Sequence, residues 1–341
     1  MMRLPYFRYY APRTLDEAVR MLAGEGPQAM LIAGGTDLLP NMKRRQQNPQ
    51  VLIALRNIQA LKIARNGTGL TLGAGLTLTD IMRNDTVKKD YAGLWQAASQ
   101  IATPHLRNMG TLGGNLCLDT RCSYYNQSYE WRKAIDFCMK KDGEVCWVAT
   151  GSKHCLAISS TDTAPALIAL DAKVRLVSAD DERTLSLAEL YQDDGMDFLR
   201  RRPDEILTEV LLPPLKDWRS TYWKLRRRGS FDFPVLSVAV AVRLSNEKRV
   251  EEARIVLGAV SSQPVVCEEV AKFITGKPLS SDVIEQAGKL AAKVAHPVKN
   301  ADFAPRWRKR VAARFVGYAL QELRGDDTRE LRRRFTRQVM S

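Results

Sequence analysis

Short apolar runs that end at glycines punctuate the first third of the chain. Residues 29–33 form one such run, which breaks at Gly34 and Gly35. Thr36 and Asp37 follow and are placed to cap a helix over residues 38–43. A strand, a tight glycine turn and a helix start leave free backbone N–H groups that suit a diphosphate. The segment lacks the features of a Walker loop or a Rossmann fingerprint, so alone it is equally typical of a plain turn.

The apolar pattern continues with segments whose period predicts a mixed helix and sheet fold. Strands are predicted over residues 50–55, 70–75, 172–177 and 205–212, and a helix over residues 91–101. Pro213 and Pro214 indicate a domain boundary. Beyond it the pattern predicts a three-stranded sheet backed by helices, with strands over residues 221–226, 235–242 and 254–260 and helices over residues 264–274, 282–295 and 307–323.

A second glycine motif begins at Thr111 and ends at Asn115. It offers a hydroxyl, a carboxamide and, at Gly113 and Gly114, backbone amides that no side chain shields. Two glycine loops about 80 residues apart, each after an apolar segment, favour one shared ligand. Asp162 later begins another helix, where it serves either as an N-cap or as a partner for a sugar or ribityl hydroxyl.

Five of the six cysteines fall in the segment between Asn115 and Asp162. Cys117 continues the second glycine motif and is interpreted as a core thiol, whereas the other four lie in an inserted loop and are assigned as metal ligands: Cys122, Cys138, Cys146 and Cys155. Their spacing matches neither a zinc ribbon nor a bacterial ferredoxin. Zinc therefore stays open from spacing alone, as does a role for His154 beside the ligands, and only the neighbouring flavin-like site favours a redox cluster.

Composition narrows the class of protein. The chain has 341 residues, 45% of them hydrophobic and 26% charged, which suits a globular protein of more than one domain. No apolar run is long enough for a membrane helix or a signal peptide, so a cytoplasmic protein with reduced thiols is expected. The net charge of +14 is spread in short groups without a nucleic-acid motif, which favours solvated faces and subunit contacts. An alternative from a different functional class is an assembly protein stabilised by zinc, or a nucleic-acid-binding protein, without a redox role.

Four ordered motifs now carry a resemblance: residues 31–38, 111–115, 162–165 and 224–229. Together they resemble the FAD-binding medium subunit of the xanthine oxidase family of molybdenum hydroxylases. The resemblance implies an α+β fold with a two-part FAD-binding domain of the vanillyl-alcohol-oxidase-like (PCMH) type over residues 1–216. A small α+β C-terminal domain with a three-stranded antiparallel sheet would follow over residues 217–326, and then a basic tail over residues 327–341. From its charge, we expect the tail to be mobile from Arg329 onwards.

The distance between the second and third motifs departs from most of the family. It is similar to the β subunit of 4-hydroxybenzoyl-CoA reductase, whose inserted loop carries a [4Fe–4S] cluster on four cysteines. By this resemblance residues 117–158 form the inserted loop. The four assigned cysteines fit that pattern in order and number.

The resemblance also implies which residues hold the flavin. Asp162 would bind the adenosine side or the ribityl chain, Ala102 and Leu207 would lie near the cofactor, and Lys224 would face the flavin ring. The FAD diphosphate and its surroundings would be held by the two glycine motifs, through Leu31, Ile32, Ala33, Gly34, Gly35, Thr36, Asp37, Leu38, Thr111, Gly114 and Asn115.

The implied activity is electron transfer, with no catalytic residue in this chain because the substrate site would lie on another subunit. The partners would be a large molybdopterin subunit and a small subunit with two [2Fe–2S] clusters, in a dimer of heterotrimers. Electrons would pass from ferredoxin through [4Fe–4S] and FAD towards molybdenum, where 4-hydroxybenzoyl-CoA is reduced to benzoyl-CoA. The alternative is the FAD subunit of a related enzyme that oxidises an aromatic or N-heterocyclic substrate.

The inserted loop also carries several basic residues. A ferredoxin-docking role is hypothesised for these side chains, because a basic surface steers an acidic partner: Arg121, Arg132, Lys133, Lys140 and Lys141.

Overall fold

The computed structural model describes residues 3–337 of the chain. Its first sheet is small and parallel, with strand order β1-β3-β2. It contains β1 (Arg8–Tyr10), β2 (Ala29–Ile32) and β3 (Val51–Ala54), together with α1 (Leu15–Glu25) and α2 (Leu38–Lys43). Val19 and Leu22 of α1 pack against Val51 and Ile53 of the central strand. The helix predicted over residues 38–43 coincides with α2.

A second sheet of five antiparallel strands forms the other part of the N-terminal domain, in the order β4-β5-β8-β6-β7. Its strands are β4 (Ala64–Asn66), β5 (Leu70–Gly73), β6 (Lys173–Val177), β7 (Glu182–Ser186) and β8 (Ile206–Leu212). The helices of this part are α3 (Leu78–Arg83), α4 (Asp85–Asp90), α5 (Ala92–Ser99), α6 (Pro104–Arg107), α7 (Leu112–Leu116), α8 (Tyr129–Ala134) and α9 (Thr163–Ala169). Leu72, Val174 and Val210 of the sheet share one core with Leu94 of α5 and Leu167 of α9.

The segment between α7 and α9 is largely irregular. Its one described helix is α8, and an antiparallel bridge between Arg121 and Ile158 closes the loop at its base. Its own apolar cluster is small and is built on Cys122, Tyr125 and Cys155. The loop therefore has little regular structure of its own.

The C-terminal domain is a four-stranded antiparallel sheet backed by helices, with strand order β12-β11-β10-β9. Its elements are β9 (Trp218–Leu225), β10 (Leu236–Leu244), β11 (Val250–Gly258), β12 (Val265–Val266), α10 (Glu268–Ile274), α11 (Ser281–Val294), α12 (Pro305–Arg324) and α13 (Arg329–Arg337). The predicted count of three strands was wrong, because Val265 and Val266 pair with β11. The helix predicted from residue 264 therefore begins only at Glu268.

The basic tail is ordered where the structure describes it. Leu331 and Phe335 of α13 pack against the C-terminal core, so the expectation of a mobile tail from Arg329 was wrong for residues 329–337. Residues 338–341 lie outside the described residues. Within residues 3–337, no helix is long and apolar enough to cross a lipid bilayer.

Candidate functional site

The first glycine motif turns the chain from β2 into α2 beneath a close backbone contact. A Cβ built on Gly34 would lie 1.9 Å from the carbonyl oxygen of Met109, so only glycine fits there. Gly35 has φ of +70°, a left-handed conformation that glycine adopts without strain. Among the described residues, the backbone N–H groups of residues 34–37 have no protein acceptor. These donors, at the start of a helix, fit a bound diphosphate.

The second glycine motif lies directly against the first. Met109, which contacts Gly34, stands two residues before Thr111. The hydroxyl of Thr111 caps α7 by accepting a 3.1 Å hydrogen bond from the Gly114 N–H. A Cβ on Gly113 would lie 2.7 Å from the Cβ of Ala74, so α7 also needs glycine to pack on the strand side. The structure thus brings the two glycine motifs together, as the shared-ligand hypothesis required.

Asn115 connects the second motif to the third. Its side-chain oxygen accepts hydrogen bonds from the Thr161 hydroxyl at 2.9 Å, the Thr163 N–H at 3.1 Å and the Thr163 hydroxyl at 2.7 Å. The Asn115 amide nitrogen donates to no acceptor within residues 3–337 and so stays available to a ligand. The residue between those two threonines is Asp162.

Asp162 and Lys224 connect the third motif to the fourth. The Lys224 ammonium lies 3.0 Å from Asp162 Oδ2, and the Tyr222 hydroxyl donates to Asp162 Oδ1 at 2.6 Å. Both charged side chains are almost fully buried. Burial raises the pKa of Asp162 and lowers the pKa of Lys224, while their mutual attraction opposes both shifts. Asp162 stands at the N-cap position of α9, but its carboxylate makes no capping hydrogen bond, so the N-cap interpretation of that side chain was wrong.

Ala102 and Leu207 lie beside this region in different ways. Ala102 has φ of +45°, and its carbonyl accepts a 3.1 Å hydrogen bond from the Phe231 N–H. The carbonyl of Gln100, two residues earlier, accepts from Lys224 at 3.2 Å and from Arg226 at 2.9 Å. The loop at Ala102 therefore faces the fourth motif. Leu207 is 5% exposed and packs in the main core.

The four assigned cysteines are all buried in the inserted loop. Burial raises the pKa of the Cys122 thiol, and the nearby Cys138 and Cys146 act in the same direction. Burial also raises the pKa of Cys155 to about 12, with Cys122 and Cys146 again acting in the same direction. The four thiols are therefore close enough to influence one another electrostatically. In the described part of the chain, however, no group of three or more His, Cys, Asp or Glu side chains is arranged to hold a metal ion.

The remaining cysteines and His154 lie elsewhere. Cys117 packs against the main core, where burial raises its pKa, and Cys267 is buried in the C-terminal core at the start of α10. Cys117 thus matches its assignment as a core thiol, and Cys267 is likewise a core thiol. His154 is exposed, and its backbone N–H lies 3.4 Å from the Ser152 hydroxyl.

A glycine outside the loop is fitted to one of the thiols. A Cβ on Gly195 would lie 2.8 Å from Cys155 Sγ and 2.7 Å from the Ala157 N–H nitrogen. The Gly195 N–H donates to the Cys155 carbonyl at 2.8 Å, and the Gly195 carbonyl accepts from Lys140 at 2.6 Å. The sequence around Gly195 gives no signal of this role, because nothing in its local pattern separates it from an ordinary turn glycine.

The basic surface expected on the loop does not form. The side chains of Arg121, Arg132 and Lys140 are only 7%, 1% and 6% exposed and bind groups inside the protein. Lys133 is exposed and Lys141 partly so. Four acidic residues of the loop are also exposed: Glu130, Asp136, Asp142 and Glu144. The docking hypothesis was therefore wrong for three of its five residues, and the remaining charges are mixed in sign.

Comparison with known proteins decides the family. The pattern described as "FAD binding domain in molybdopterin dehydrogenase" matches residues 5–215, and that described as "CO dehydrogenase flavoprotein C-terminal domain" matches residues 220–323. The chain is an FAD-binding subunit of the molybdenum hydroxylase family. The alternative of an assembly without a redox role was wrong.

Individual relatives of this FAD-binding subunit span most of its length. The "Aldehyde oxidoreductase FAD-binding subunit PaoB" of Escherichia coli (strain K12) is 32% identical over 76% of this chain and 82% of its own. The "Nicotinate dehydrogenase FAD-subunit" of Eubacterium barkeri is 28% identical over 82% of this chain and 83% of its own. The structure entitled "Reconstituted CO dehydrogenase from Oligotropha carboxidovorans" shares the fold, with a TM-score of 0.79 and 24% identity over 94% of this chain and 99% of that chain.

Proposed function

We propose that this FAD-binding subunit carries electrons away from a substrate that is oxidised on a molybdenum-bearing partner. We further propose that the four-cysteine loop holds a [4Fe–4S] cluster, which passes electrons from the flavin to an external acceptor. The oxidative direction is supported by the relatives, which are named as an aldehyde oxidoreductase and a nicotinate dehydrogenase. Those names favour the alternative drawn from the sequence over 4-hydroxybenzoyl-CoA reductase.

The observation that carries the flavin part is the direct contact of four distant motifs. Gly34 touches Met109 beside the second motif, Asn115 binds the third, and Asp162 pairs with Lys224 of the fourth. When bound, FAD and the cluster supply the electron-carrying chemistry. In this proposal the free N–H groups of residues 34–37 bind the diphosphate, and Asn115 presents its amide to the cofactor. The Asp162–Lys224 pair forms the side of the proposed cofactor site next to Asn115, and the loop at Ala102 lies beside this pair.

The thiol part is supported by the burial of four loop cysteines in one neighbourhood. A single zinc ion would need them about 2.3 Å from one centre, and no such group is present among residues 3–337. A [4Fe–4S] cluster takes one thiolate on each of its four irons, and the loop offers four buried cysteines. Cys122, Cys138, Cys146 and Cys155 would be the ligands, with Cys117 excluded by its place in the main core.

We propose the partner subunits from membership of the family. A large molybdopterin subunit and a small subunit with two [2Fe–2S] clusters would complete the enzyme, in a dimer of heterotrimers. The substrate class that the relatives favour is an aldehyde or an N-heterocycle, and the substrate site would lie on the large subunit.

A second candidate function has electrons flowing in the opposite direction, from an external donor through this subunit towards molybdenum. The number and order of the loop cysteines favour a 4-hydroxybenzoyl-CoA reductase-like subunit, fed by ferredoxin. Potentiometric titration of the purified complex separates the two candidates. A cluster potential well below that of the flavin supports inward flow, and a cluster potential at or above it supports outward flow to an acceptor.

Iron and acid-labile sulfide analysis, beside the visible spectrum of the anaerobically purified protein, tests the main proposal. The wild-type chain should contain about four irons and four sulfides with one FAD, as a four-cysteine cluster requires. Cys146→Ser should lose the iron and keep the fold. Cys267→Ser, which alters a buried thiol outside the loop, is the matched control and should keep the iron. A yellow, iron-free wild-type protein would contradict the cluster.

A further inference from the structure

An arginine of the inserted loop binds the first turn of helix α2, next to the first glycine motif. Arg121, whose side chain is 7% exposed, contacts the carboxylate of Asp37 at the N-cap of α2. Its guanidinium also donates a 3.0 Å hydrogen bond to Asn41 Oδ1, one turn further along the helix. Asp37 belongs to the segment whose free N–H groups fit the diphosphate. The position of these donors therefore depends on a side chain of the loop.

The loop also holds the end of α2. Arg132, 1% exposed, donates from Nη2 to the carbonyl oxygens of Arg44 at 3.0 Å and Arg45 at 3.1 Å. Carbonyl groups at the end of a helix lack partners within the helix, so this guanidinium satisfies groups that α2 cannot. Gln46 adds a 2.5 Å hydrogen bond from its amide to the Tyr125 carbonyl.

The same loop segments carry the thiols. Arg121 directly precedes Cys122, whose side chain is buried. At the other end, Arg132 lies 3.9 Å from the carboxylate of Asp142. Asp142 belongs to the turn in which the backbone carbonyl of Cys138 accepts a 2.8 Å hydrogen bond from the Lys141 N–H. One or two contacts therefore separate each of these cysteines from α2.

Other hydrogen bonds also join the loop to the rest of the protein, from Lys140 to the Gly195 carbonyl and from Asn300 to the Leu156 carbonyl, but the loop has little regular structure of its own. Its described regular structure is one six-residue helix, and its apolar cluster is small. A segment of this kind gains much of its order from the group that its cysteines bind, because the free energy of metal binding is then free energy of folding. Ordering of the loop therefore also fixes the positions of Arg121 and Arg132, which bind the two ends of α2.

We infer that filling the thiol centre fixes helix α2 and thereby sets the affinity for FAD, with Arg121 and Arg132 as positioning residues. The inference rests on the proposed function, since it takes a cluster in the loop and FAD at α2. Linkage makes the effect reciprocal, so bound FAD slows the loss of the cluster.

The test compares variants of the full chain in two measurements: iron content, and the FAD dissociation constant from quenching of flavin fluorescence. Cys138→Ser/Cys146→Ser should lose iron and bind FAD about tenfold more weakly. Arg132→Met should keep its iron and also bind FAD about tenfold more weakly. Arg132→Lys, which retains the charge but loses the planar fork, should fall between. Lys133→Met changes an exposed neighbour on the same helix and should match the wild type.

A second readout separates positioning from a general loss of stability. Saturating FAD should slow the release of iron to a chelator about tenfold in the wild type, and this protection should vanish in Arg132→Met. Wild-type FAD affinity in the iron-free double cysteine variant would overturn the coupling while leaving the cluster proposal intact. Wild-type affinity in Arg132→Met would remove the assigned role of that residue. An iron-free wild-type chain with tight FAD binding would overturn both proposals.

Discussion

The ammonium group of Lys224 lies 3.0 Å from a carboxylate oxygen of Asp162, so a buried ion pair joins residues 62 positions apart in the chain. Tyr222 completes the arrangement with a hydrogen bond to the other carboxylate oxygen. Each charge is removed from water and depends on its partner, because an unpaired buried charge is strongly unfavourable. The pair therefore holds the third and fourth motifs together.

Removing one partner of this pair should cost much of the stability of the chain. Lys224→Met leaves Asp162 buried and unpaired, and should lower the free energy of unfolding by about 3 kcal/mol. Equilibrium urea denaturation measures this change, with exposed Lys216→Met as the control. The double variant Lys224→Met/Asp162→Asn should recover part of the loss, since the two residues act as a unit. A double variant as unstable as the sum of the two single variants would contradict the coupling.

The close contact at Gly34 makes a second prediction. Gly34→Ala places a methyl group 1.9 Å from the Met109 carbonyl oxygen, so the two glycine motifs must separate. We expect a loss of about 2–3 kcal/mol in unfolding free energy and weakened FAD binding. Gly24→Ala is the control, because nothing lies within 4 Å of its Cβ and the residue sits in helix α1. That control should be neutral or stabilising by up to about 1 kcal/mol. Thermal unfolding with and without FAD would detect either result.

Gly195 provides a third prediction that concerns the thiols. Gly195→Ala should displace Cys155, because the added methyl group would stand 2.8 Å from its sulfur. The expected result is reduced iron and sulfide content in the purified protein, with FAD still bound at saturating concentration. Gly151→Ala lies within the loop itself, where a Cβ meets nothing within 4 Å, and should keep its iron. Equal iron content in the two variants would show that Cys155 does not need this fit.

A fourth prediction concerns acid stability. Burial acts to raise the pKa of Glu205, but hydrogen bonds from Arg183 and from the Arg202 N–H outweigh it, and the pKa lies below its ordinary value. A carboxylate with a lowered folded-state pKa stabilises the protein above its unfolded pKa, and this contribution is lost as the pH falls through the folded pKa. Glu205→Gln should therefore lower the unfolding free energy by about 2 kcal/mol at pH 7.

The pH dependence is the diagnostic part of that prediction. The stability difference between wild type and Glu205→Gln should shrink progressively as the pH falls below about pH 4, because the Glu205 carboxylate then becomes protonated and neutral, like glutamine. Urea denaturation from pH 7 to pH 3 measures the difference. Glu247→Gln alters an 82% exposed carboxylate and should give no comparable trend. A difference between wild type and Glu205→Gln that stays constant over this range would contradict the assignment to the charged form.

The elements that sequence analysis predicted are those with a strong apolar signal. Strand β2, the glycine turn and helix α2 were found because an apolar run, two glycines and a helix follow one another within the chain. Strand β4 escaped because all three of its residues are exposed, and β12 because two residues give no periodicity. Such strands are specified by the neighbour with which they pair, which local pattern does not reveal.

The residues of the candidate site also differ in how well local sequence predicts them. Gly34, Thr111 and Asn115 stand in motifs of fixed local spacing, so their grouping could be predicted. The burial of Arg121 and Arg132 could not, because their partners lie about 80 or more residues earlier in the chain. A basic residue in a loop is normally solvated, and nothing in the local sequence indicates that a helix end will receive it.

The contact between Gly195 and Cys155 has an evolutionary consequence. A glycine of the host domain makes room for a cysteine of the inserted loop and bonds to its backbone. A relative that acquired the loop alone, with any larger side chain at this position, would place a methyl group against the sulfur. Transfer of the loop into a relative would therefore also require a glycine at the position of Gly195.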